Sequence, residues 1–172
     1  LGHSMGGYVA LAYAELHPEK LEQLGLFFST PKADSPARQV MRNKAAELVQ
    51  YNHNSFIRAS IPQLFDTSTH EDFQPAINRQ INQSLEMSME GIVAAIQGMK
   101  IRKDRTHILE SGAIPVGVFV GKLDTIIPFD NTEKWSLAKG VSYRYTSPSG
   151  HMGHITHQED CTEEVLRWWL GS

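Results

Sequence analysis

The sequence predicts an α/β fold in which a mostly parallel β-sheet is flanked by helices and an all-helical segment is inserted between two α/β blocks. The chain opens on a Gly-x-Ser-x-Gly turn at residues 2–6, a pattern that joins a strand to a helix. Short apolar runs typical of strands lie at residues 24–28, 118–121 and 141–145. Between the first two runs, residues 31–112 carry helical periodicity and no convincing strand.

The opening turn places a serine where a strand bends sharply into a helix. Gly2 and Gly6 flank Ser4, and we expect a side chain at either glycine to clash as the strand and the helix close up. Residues 7–14 are small and apolar, as a buried helix running to Pro18 requires. The pattern therefore predicts a strained turn that presents the serine hydroxyl for attack.

Two residues far downstream have the chemistry that a serine nucleophile requires. A serine hydroxyl is a weak nucleophile at neutral pH, so an imidazole must accept its proton and a carboxylate must orient that imidazole. Asp124 follows an apolar strand that ends at Gly121, at the edge where open α/β sheets build their sites. His151 follows the run at 141–145, and the order along the chain is Ser4, Asp124, His151.

These motifs resemble those of the α/β-hydrolase superfamily, in its esterase, lipase and haloperoxidase-like branch. The segments that carry the resemblance are residues 2–7, 120–124 with Pro128, 149–151 and the terminal amphipathic helix up to Leu170. The resemblance implies Ser4 as nucleophile, Asp124 as orienting acid and His151 as general base. It also implies that the backbone N–H of Met5 forms half of the oxyanion hole.

The function that this resemblance implies is a serine hydrolase that cleaves an ester or related acyl bond of a small, apolar substrate through an acyl-enzyme. Perhydrolysis and carbon–carbon bond hydrolysis use the same three residues and stay open. A non-catalytic ligand sensor or scaffold is the alternative from another class, although degenerate members usually lose a triad residue. Dehalogenases and epoxide hydrolases are disfavoured because they carry aspartate where this chain has Ser4.

The expected domain organisation is an α/β core at residues 1–30 and 113–172 with a helical lid at residues 31–112. Within the lid, Ser35 and Ser88 are expected to cap helices. Four of the six methionines lie there and either line an adaptable apolar pocket or pack the lid helices; they are Met41, Met87, Met89 and Met99.

Two patterns predict helices in the last block. Asp130 and Glu133 resemble a capping box for a helix that carries Trp135. In the last helix, a stripe expected to pack on the sheet consists of Cys161, Val165, Trp168 and Trp169.

The eight histidines compete for the role of base. His3 is expected to pack or to support the site, since it lies inside the turn. His151, His154 and His157 are spaced by three, but no second ligand cluster accompanies them, so we expect neither a metal nor a cofactor. His151 is preferred over His154 because histidine directly follows glycine after the strand in the family pattern.

Composition limits the partners. The formal net charge of −3 argues against nucleic acid, and no apolar run approaches the ~18–20 residues needed to span a membrane. Cys161 is the single cysteine, so no intrachain disulfide forms, and a cytoplasmic location is favoured. The expected partner is a small-molecule substrate.

The start of the chain departs from the family pattern, because the sequence opens at Leu1, directly before the Gly-x-Ser-x-Gly turn, with no predicted strand before Ser4. In the family, the Gly-x-Ser-x-Gly turn is preceded by several strands and helices and by a loop that supplies the second oxyanion donor. We therefore expect this chain to be the C-terminal part of a longer protein, inactive without its N-terminal half. The strand that contains Leu26 and Phe27 is expected to have an unpaired edge.

Overall fold

A computed structural model describes residues 1–171 of the chain. Their contacts divide them into two compact units. The sheet unit comprises residues 1–32 and 104–171, and the helical unit comprises Ala33–Lys103. The strands are β1 (Gly2–His3), β2 (Leu24–Phe27), β3 (Val116–Gly121) and β4 (Val141–Ser147). The helices are α1 (Met5–Leu16), α2 (Pro36–Tyr51), α3 (His53–Ser60), α4 (His70–Leu85), α5 (Met89–Ile101), α6 (Thr106–Ser111), α7 (Gly153–Thr156) and α8 (Gln158–Leu170).

The sheet unit is built on one four-stranded sheet in the order β1-β2-β3-β4, and every neighbouring pair is parallel. Both central strands are buried along their whole length, as continuous apolar runs in parallel sheets usually are. The predicted mostly parallel sheet flanked by helices is confirmed.

Successive side chains of the paired strands β2 and β3 pack alternately into two separate apolar layers, one on each face of the sheet. Leu26 is in register with Val118, and both join the core cluster that includes Leu11 of α1. The next pair, Phe27 and Phe119, belongs to a second cluster with Trp168 of α8 and Cys161. Since successive strand residues point to opposite faces, one helix covers each face of the sheet.

Helix α6 extends the first of these layers. Ile108 and Leu109 are buried in the cluster that contains Leu11. Arg105, just before α6, donates two hydrogen bonds to Glu15 of α1, at 3.1 and 3.0 Å. The sheet unit therefore resumes at residue 104, whereas the helical periodicity of the sequence predicts that the insertion extends to residue 112.

The expectation that the strand containing Leu26 and Phe27 has an unpaired edge is wrong. Gly2 of β1 pairs with Leu26, and His3 pairs with Phe27. The first residues of the Gly-x-Ser-x-Gly turn therefore pair with two of the four residues of β2. On its other side, β2 pairs with β3 over four residues. Within residues 1–171, the outer edge of the sheet on this side is the two-residue β1.

Two predictions in the last block are also wrong. The chain from Asp130 to Trp135 forms short 3₁₀ turns at Phe129–Asn131 and Trp135–Leu137 instead of a capped helix. Trp169 is 56% exposed, whereas Trp168 is 5% exposed. Neighbouring helix positions point about 100° apart, so both indoles cannot face the sheet; Cys161, two turns before Trp168, does share its buried face.

The helical unit begins its helices as the capping signals predict. The Ser35 hydroxyl accepts a hydrogen bond from the Arg38 N–H at 3.3 Å, and Pro36 occupies the first turn of α2. The Ser88 hydroxyl caps α5 by accepting from the Gly91 N–H at 3.0 Å. Helices α2 and α5 pack through buried Ala46, Val49 and Ile96.

A buried carboxylate ties the two ends of the helical unit together. The Asp34 side chain is fully buried, and the Arg102 guanidinium lies 2.8 Å from its Oδ1. Arg42 lies 3.0 Å from Oδ2, and Arg38 lies 3.7 Å from Oδ1. Because Asp34 precedes α2 and Arg102 follows α5, these ion pairs hold the first and last segments of the unit side by side.

Gly117 provides a test of the packing on the second face of the sheet. Gly117 is the second residue of β3, and a Cβ atom added there would lie 2.5 Å from a Trp168 indole carbon. Gly117→Ala should therefore lower the free energy of unfolding by roughly 1–3 kcal/mol, as overpacking of a rigid core does. Urea denaturation measures this difference.

The matched control is Gly98→Ala in α5, where an added Cβ meets no atom within 4 Å. Alanine has the higher helix propensity, so this variant should gain up to about 1 kcal/mol. Equal stabilities for the Gly117 variant and the unmodified protein would contradict the described indole packing.

Candidate active site

Ser4 occupies a strained turn between β1 and α1. Its φ of 51° and ψ of −118° lie outside the regions that L-residues ordinarily adopt. Three hydrogen bonds hold it: its N–H donates to the Phe27 carbonyl at 3.0 Å, and its carbonyl accepts from the Gly7 N–H at 3.0 Å and the Ser29 hydroxyl at 2.8 Å. Such a conformation persists only where its surroundings determine it.

Of the two glycines that flank Ser4, one is crowded as expected and the other is not. A Cβ at Gly2 would lie 2.4 Å from the Gly6 carbonyl carbon, so Gly2 does allow the strand and helix to close up. The expected clash at Gly6 is wrong, since a Cβ there meets no atom within 4 Å. The crowded position is Gly7, whose Cβ would lie 2.2 Å from the Ser29 hydroxyl oxygen.

Asp124 lies in the turn that follows β3, with its side chain 1% exposed. Its Oδ1 accepts two backbone hydrogen bonds, from the N–H groups of Ile126 and Ile127, both at 2.8 Å. Its Oδ2 lies 2.8 Å from Nδ1 of His151. The turn thus fixes one carboxylate oxygen and aims the other at the imidazole.

His151 follows β4 and is 3% exposed. Its Nδ1 contacts Asp124, and its Nε2 lies 2.8 Å from the Ser4 hydroxyl oxygen. Because a carboxylate only accepts, Nδ1 carries the proton, and the neutral imidazole then accepts at Nε2 from the serine O–H. The structure therefore joins Ser4, His151 and Asp124 in one hydrogen-bonded chain.

Met5 is the first residue of α1, directly after Ser4. Its backbone N–H belongs to the first turn, where helix N–H groups have no acceptor within the helix. The positive end of the helix dipole lies at the same place. A developing negative charge next to Ser4 would meet both this donor and the dipole.

Two further histidines pack beside His151. The Nε2 of His3 lies 3.0 Å from the His151 carbonyl oxygen, which makes that nitrogen the donor. The His3 ring centroid lies 5.1 Å from that of His151 and 4.4 Å from that of His154. Burial lowers the pKa of His3 to about 4, and burial, followed by His151, lowers the pKa of His154. Both rings are therefore uncharged near neutral pH.

Two residues that the sequence analysis does not single out lie against this array. Phe28 and Ser29 directly follow β2, and each is 1% exposed. Ser29 donates to the Ser4 carbonyl, and Phe28 has a φ of 46°, which is unusual for a bulky residue. The one sequence signal that could have identified them as residues of the site is their position directly after the carboxyl end of a parallel strand.

Residues 1–171 contain neither a candidate metal site nor a candidate membrane span. That part of the chain has no group of three or more histidine, cysteine, aspartate or glutamate side chains that could hold a metal ion. His157, the third histidine of the spaced cluster, contacts the Thr156 hydroxyl at 3.0 Å through its Nδ1. Within the same range, each helix is too short or too polar to cross a bilayer.

No protein-family model matches the sequence, and no curated protein matches it. Solved structures do match. A thermophilic esterase from Thermogutta terrifontis is 31% identical, with a TM-score of 0.85 over 98% of this chain and 62% of its own. An enol-lactonase from Burkholderia xenovorans is 18% identical, with a TM-score of 0.84 over 98% and 64%. A bromoperoxidase from Bacillus anthracis is 16% identical, with a TM-score of 0.81 over 99% and 66%.

The chain thus spans less than two thirds of the length of each of these three proteins. Nearly all of it takes part in each alignment, which includes the sheet and the helices that cover it. Together with the parallel sheet and the serine turn between β1 and α1, these matches show that the chain has the α/β-hydrolase fold. The 31% identity to the esterase supports its place in the α/β-hydrolase superfamily.

Proposed function

We propose that the protein is a serine hydrolase that cleaves an ester or related acyl bond through an acyl-enzyme. The observation that carries the proposal is the hydrogen-bonded chain from Ser4 through His151 to Asp124, with both links at 2.8 Å. A buried serine–imidazole–carboxylate array is the arrangement that makes a hydroxyl nucleophilic at neutral pH. The 31% identity to an esterase supports the ester as substrate class.

In the first half of the proposed reaction, the Ser4 oxygen attacks the substrate carbonyl while His151 Nε2 takes the hydroxyl proton. Asp124 stabilises the imidazolium that forms, without itself being protonated. The Met5 N–H donates to the oxyanion of the tetrahedral intermediate, and removing one such donor costs roughly 10²–10³ in kcat in a serine protease. The imidazolium then protonates the leaving alcohol, and the acyl group stays on Ser4.

In the second half, His151 deprotonates a water molecule, which attacks the acyl-enzyme carbonyl. The intermediate collapses, the acid product leaves, and the proton returns to Ser4. The strained backbone of Ser4 supports this role, because strain of this kind concentrates at sites where a group must be held in one orientation.

The expected apolar substrate and the lid remain part of the proposal. In this proposal the helical unit, residues 33–103, is the lid of the hydrolase, and an acyl chain or ring is the group that it accommodates. Its buried cluster of Ala46, Val49 and Ile96, with Met99 packed against it, offers an apolar interior that suits such a role. Met41, Met87 and Met89 are exposed and lie outside this interior. A series of p-nitrophenyl esters of increasing acyl length, assayed on the full-length protein, tests this substrate class.

The assignment of His151 as base is supported by the state of its neighbours. His3 uses its Nε2 hydrogen to bind the His151 carbonyl, and its pKa of about 4 makes it a poor proton acceptor at neutral pH. The pKa of His154 is also lowered by burial. His151 is the member of this histidine group whose Nε2 contacts Ser4.

The roles of Ser4 and His151 can be tested with a fluorophosphonate probe and an ester assay on the full-length protein. Ser4→Ala should abolish labelling. Either Ser4→Ala or His151→Ala should lower kcat by a factor on the order of 10⁶, as in a serine protease. Because the two side chains act as one unit, the double variant should be little worse than either single variant.

The matched control is His154→Ala, three residues from the proposed base, which should keep substantial activity and labelling. Losses that multiply in the double variant would contradict a joint mechanism. An inactive His154 variant beside an active His151 variant would transfer the role of base to His154.

Asp124→Asn tests the orienting role of the carboxylate. The amide oxygen can still accept from the Ile126 and Ile127 N–H groups, so the turn should remain folded. The amide N–H₂ would face His151 Nδ1 and force the proton onto Nε2, which then cannot accept from Ser4. We expect kcat to fall by a factor of about 10⁴.

The control for this change is Asp130→Asn on the exposed turn that follows, which should leave kcat unaltered. Circular dichroism and the melting temperature verify that both variants are folded. A folded Asp124→Asn variant with a kcat close to that of the unmodified protein would rule out the orienting role.

The lowered pKa of His3 predicts a loss of stability in mild acid. Below pH 6.5 the unfolded chain protonates this ring, whereas the folded protein does so only near pH 4. The free energy of unfolding therefore falls as the pH drops from about 6.5 to 4, and His3 contributes roughly 2–3 kcal/mol of that fall.

Urea denaturation at several pH values in this window measures the effect. His3→Gln, which keeps a donor for the His151 carbonyl, should show a smaller decline, whereas the exposed control His107→Gln should decline like the unmodified protein. Parallel curves for all three proteins would show that His3 titrates alike in the folded and unfolded states.

A further inference from the structure

We propose that Phe28 and Ser29 are positioning residues that hold the Ser4 turn and the His151 loop at hydrogen-bonding distance from each other. The two residues follow β2 directly, and each contacts a different part of the site. We infer that these residues control the distance between the Ser4 hydroxyl and the His151 imidazole. The inference rests on the hydrolase function proposed above, because that distance matters to catalysis only if Ser4 and His151 react together.

Ser29 acts on the nucleophile turn. Its hydroxyl donates to the Ser4 carbonyl at 2.8 Å, and the same carbonyl accepts from the Gly7 N–H in the first turn of α1. A Cβ at Gly7 would come within 2.2 Å of the Ser29 hydroxyl oxygen, so a glycine is required for this hydroxyl to reach its acceptor. Since the Ser4 peptide is strained, a fixed donor to its carbonyl sets where its side chain points.

Phe28 acts on the loops that carry the acid and the base. A Cβ at Gly153, two residues after His151, would lie 2.3 Å from the tip of the Phe28 ring. A Cβ at Gly121, where β3 ends before the Asp124 turn, would lie 2.9 Å from the same ring. The ring also meets the His151 imidazole edge-on, with centroids 6.5 Å apart. The phenyl group thus fills the space beneath both loops.

The backbone of Phe28 indicates that this placement is enforced. Its φ of 46° is unfavourable for a residue with a bulky side chain, and glycine would adopt it without cost. The Phe28 N–H is nevertheless bound to the Phe119 carbonyl of β3 at 2.8 Å, and the side chain is 1% exposed. Such strain persists only where the surroundings over-determine it, and here it aims the ring at the base loop.

Ser29→Ala is the first test, because it deletes one donor and creates almost no cavity. We expect kcat for ester hydrolysis by the full-length protein to fall about 10- to 100-fold with KM nearly unchanged, the loss typical of a reacting group displaced by about 1 Å. If Ser29 only stabilised the fold, Ser29→Ala would lower the free energy of unfolding but would not lower kcat selectively with KM unchanged.

The matched control is Ser136→Ala. Ser136 is also 1% exposed and also donates through its hydroxyl to a backbone carbonyl, that of Glu133 at 3.3 Å, on the 3₁₀ turn at residues 135–137. This variant should keep both kinetic constants. A kcat for Ser29→Ala that equals the control value would overturn the role of Ser29.

Comparing Phe28→Ala with Phe28→Gly separates the effect of losing the phenyl ring from the effect of relieving the backbone strain. Both variants lose the ring, so both should lose kcat to a similar extent, about 10-fold or more. Phe28→Gly should be the more stable of the two, by about tenfold in the unfolding equilibrium constant, because glycine accepts the positive φ. Recovery of kcat in the glycine variant would show that strain, and not the ring, matters.

Crystal structures of the Ser29→Ala and Phe28→Gly variants keep the inference independent of the proposed function. The separation between the Ser4 hydroxyl oxygen and His151 Nε2, now 2.8 Å, should exceed hydrogen-bonding distance in both. An unchanged separation overturns the positioning role. If the unmodified protein neither hydrolyses esters nor reacts with the fluorophosphonate probe, the proposed function fails, and this distance still decides the inference.

Discussion

The parallel alignment of the four strands is the constraint on which the candidate site depends. Each parallel strand ends at the same edge of the sheet, so the turns after β1, β3 and β4 all lie along that edge, with the turn after β2 between the first two. Ser4, Asp124 and His151 each occupy one of these turns, although they are far apart in the chain. The register of β2 against β3, which pairs Leu26 with Val118 and Phe27 with Phe119, buries an apolar layer on each face beneath this edge.

The chemistry of the site follows from groups that are fixed before any substrate arrives. Asp124 uses one oxygen for two backbone N–H groups and keeps the other for His151, so the imidazole has one orientation and one tautomer. His3 donates to the carbonyl of His151 and remains uncharged, because burial lowers its pKa to about 4. An uncharged His3 places no positive charge beside His151 to compete with it for the Asp124 carboxylate.

The sequence was sufficient to predict the parts of this structure that depend on local chemistry. The serine turn, the two later strand ends and the caps at Ser35 and Ser88 each use a short pattern with its own physical cause. The rest depends on neighbours from distant segments. Whether Gly6 or Gly7 is crowded is decided by Ser29, and which tryptophan of α8 is buried depends on how that helix lies on the sheet. Phe28 follows the end of a parallel strand, but no local pattern predicts its positive φ, since its N–H is bound to the Phe119 carbonyl of the neighbouring strand β3.

The measurement that tests the central claim most directly is a crystal structure of the full-length protein inactivated by an aryl phosphonate ester. We predict one covalent bond, from phosphorus to the Ser4 oxygen, with the phosphonyl oxygen within hydrogen-bonding distance of the Met5 N–H and His151 Nε2 beside the leaving-group position. A phosphonate bound to another residue, or a phosphonyl oxygen directed away from the start of α1, would contradict it.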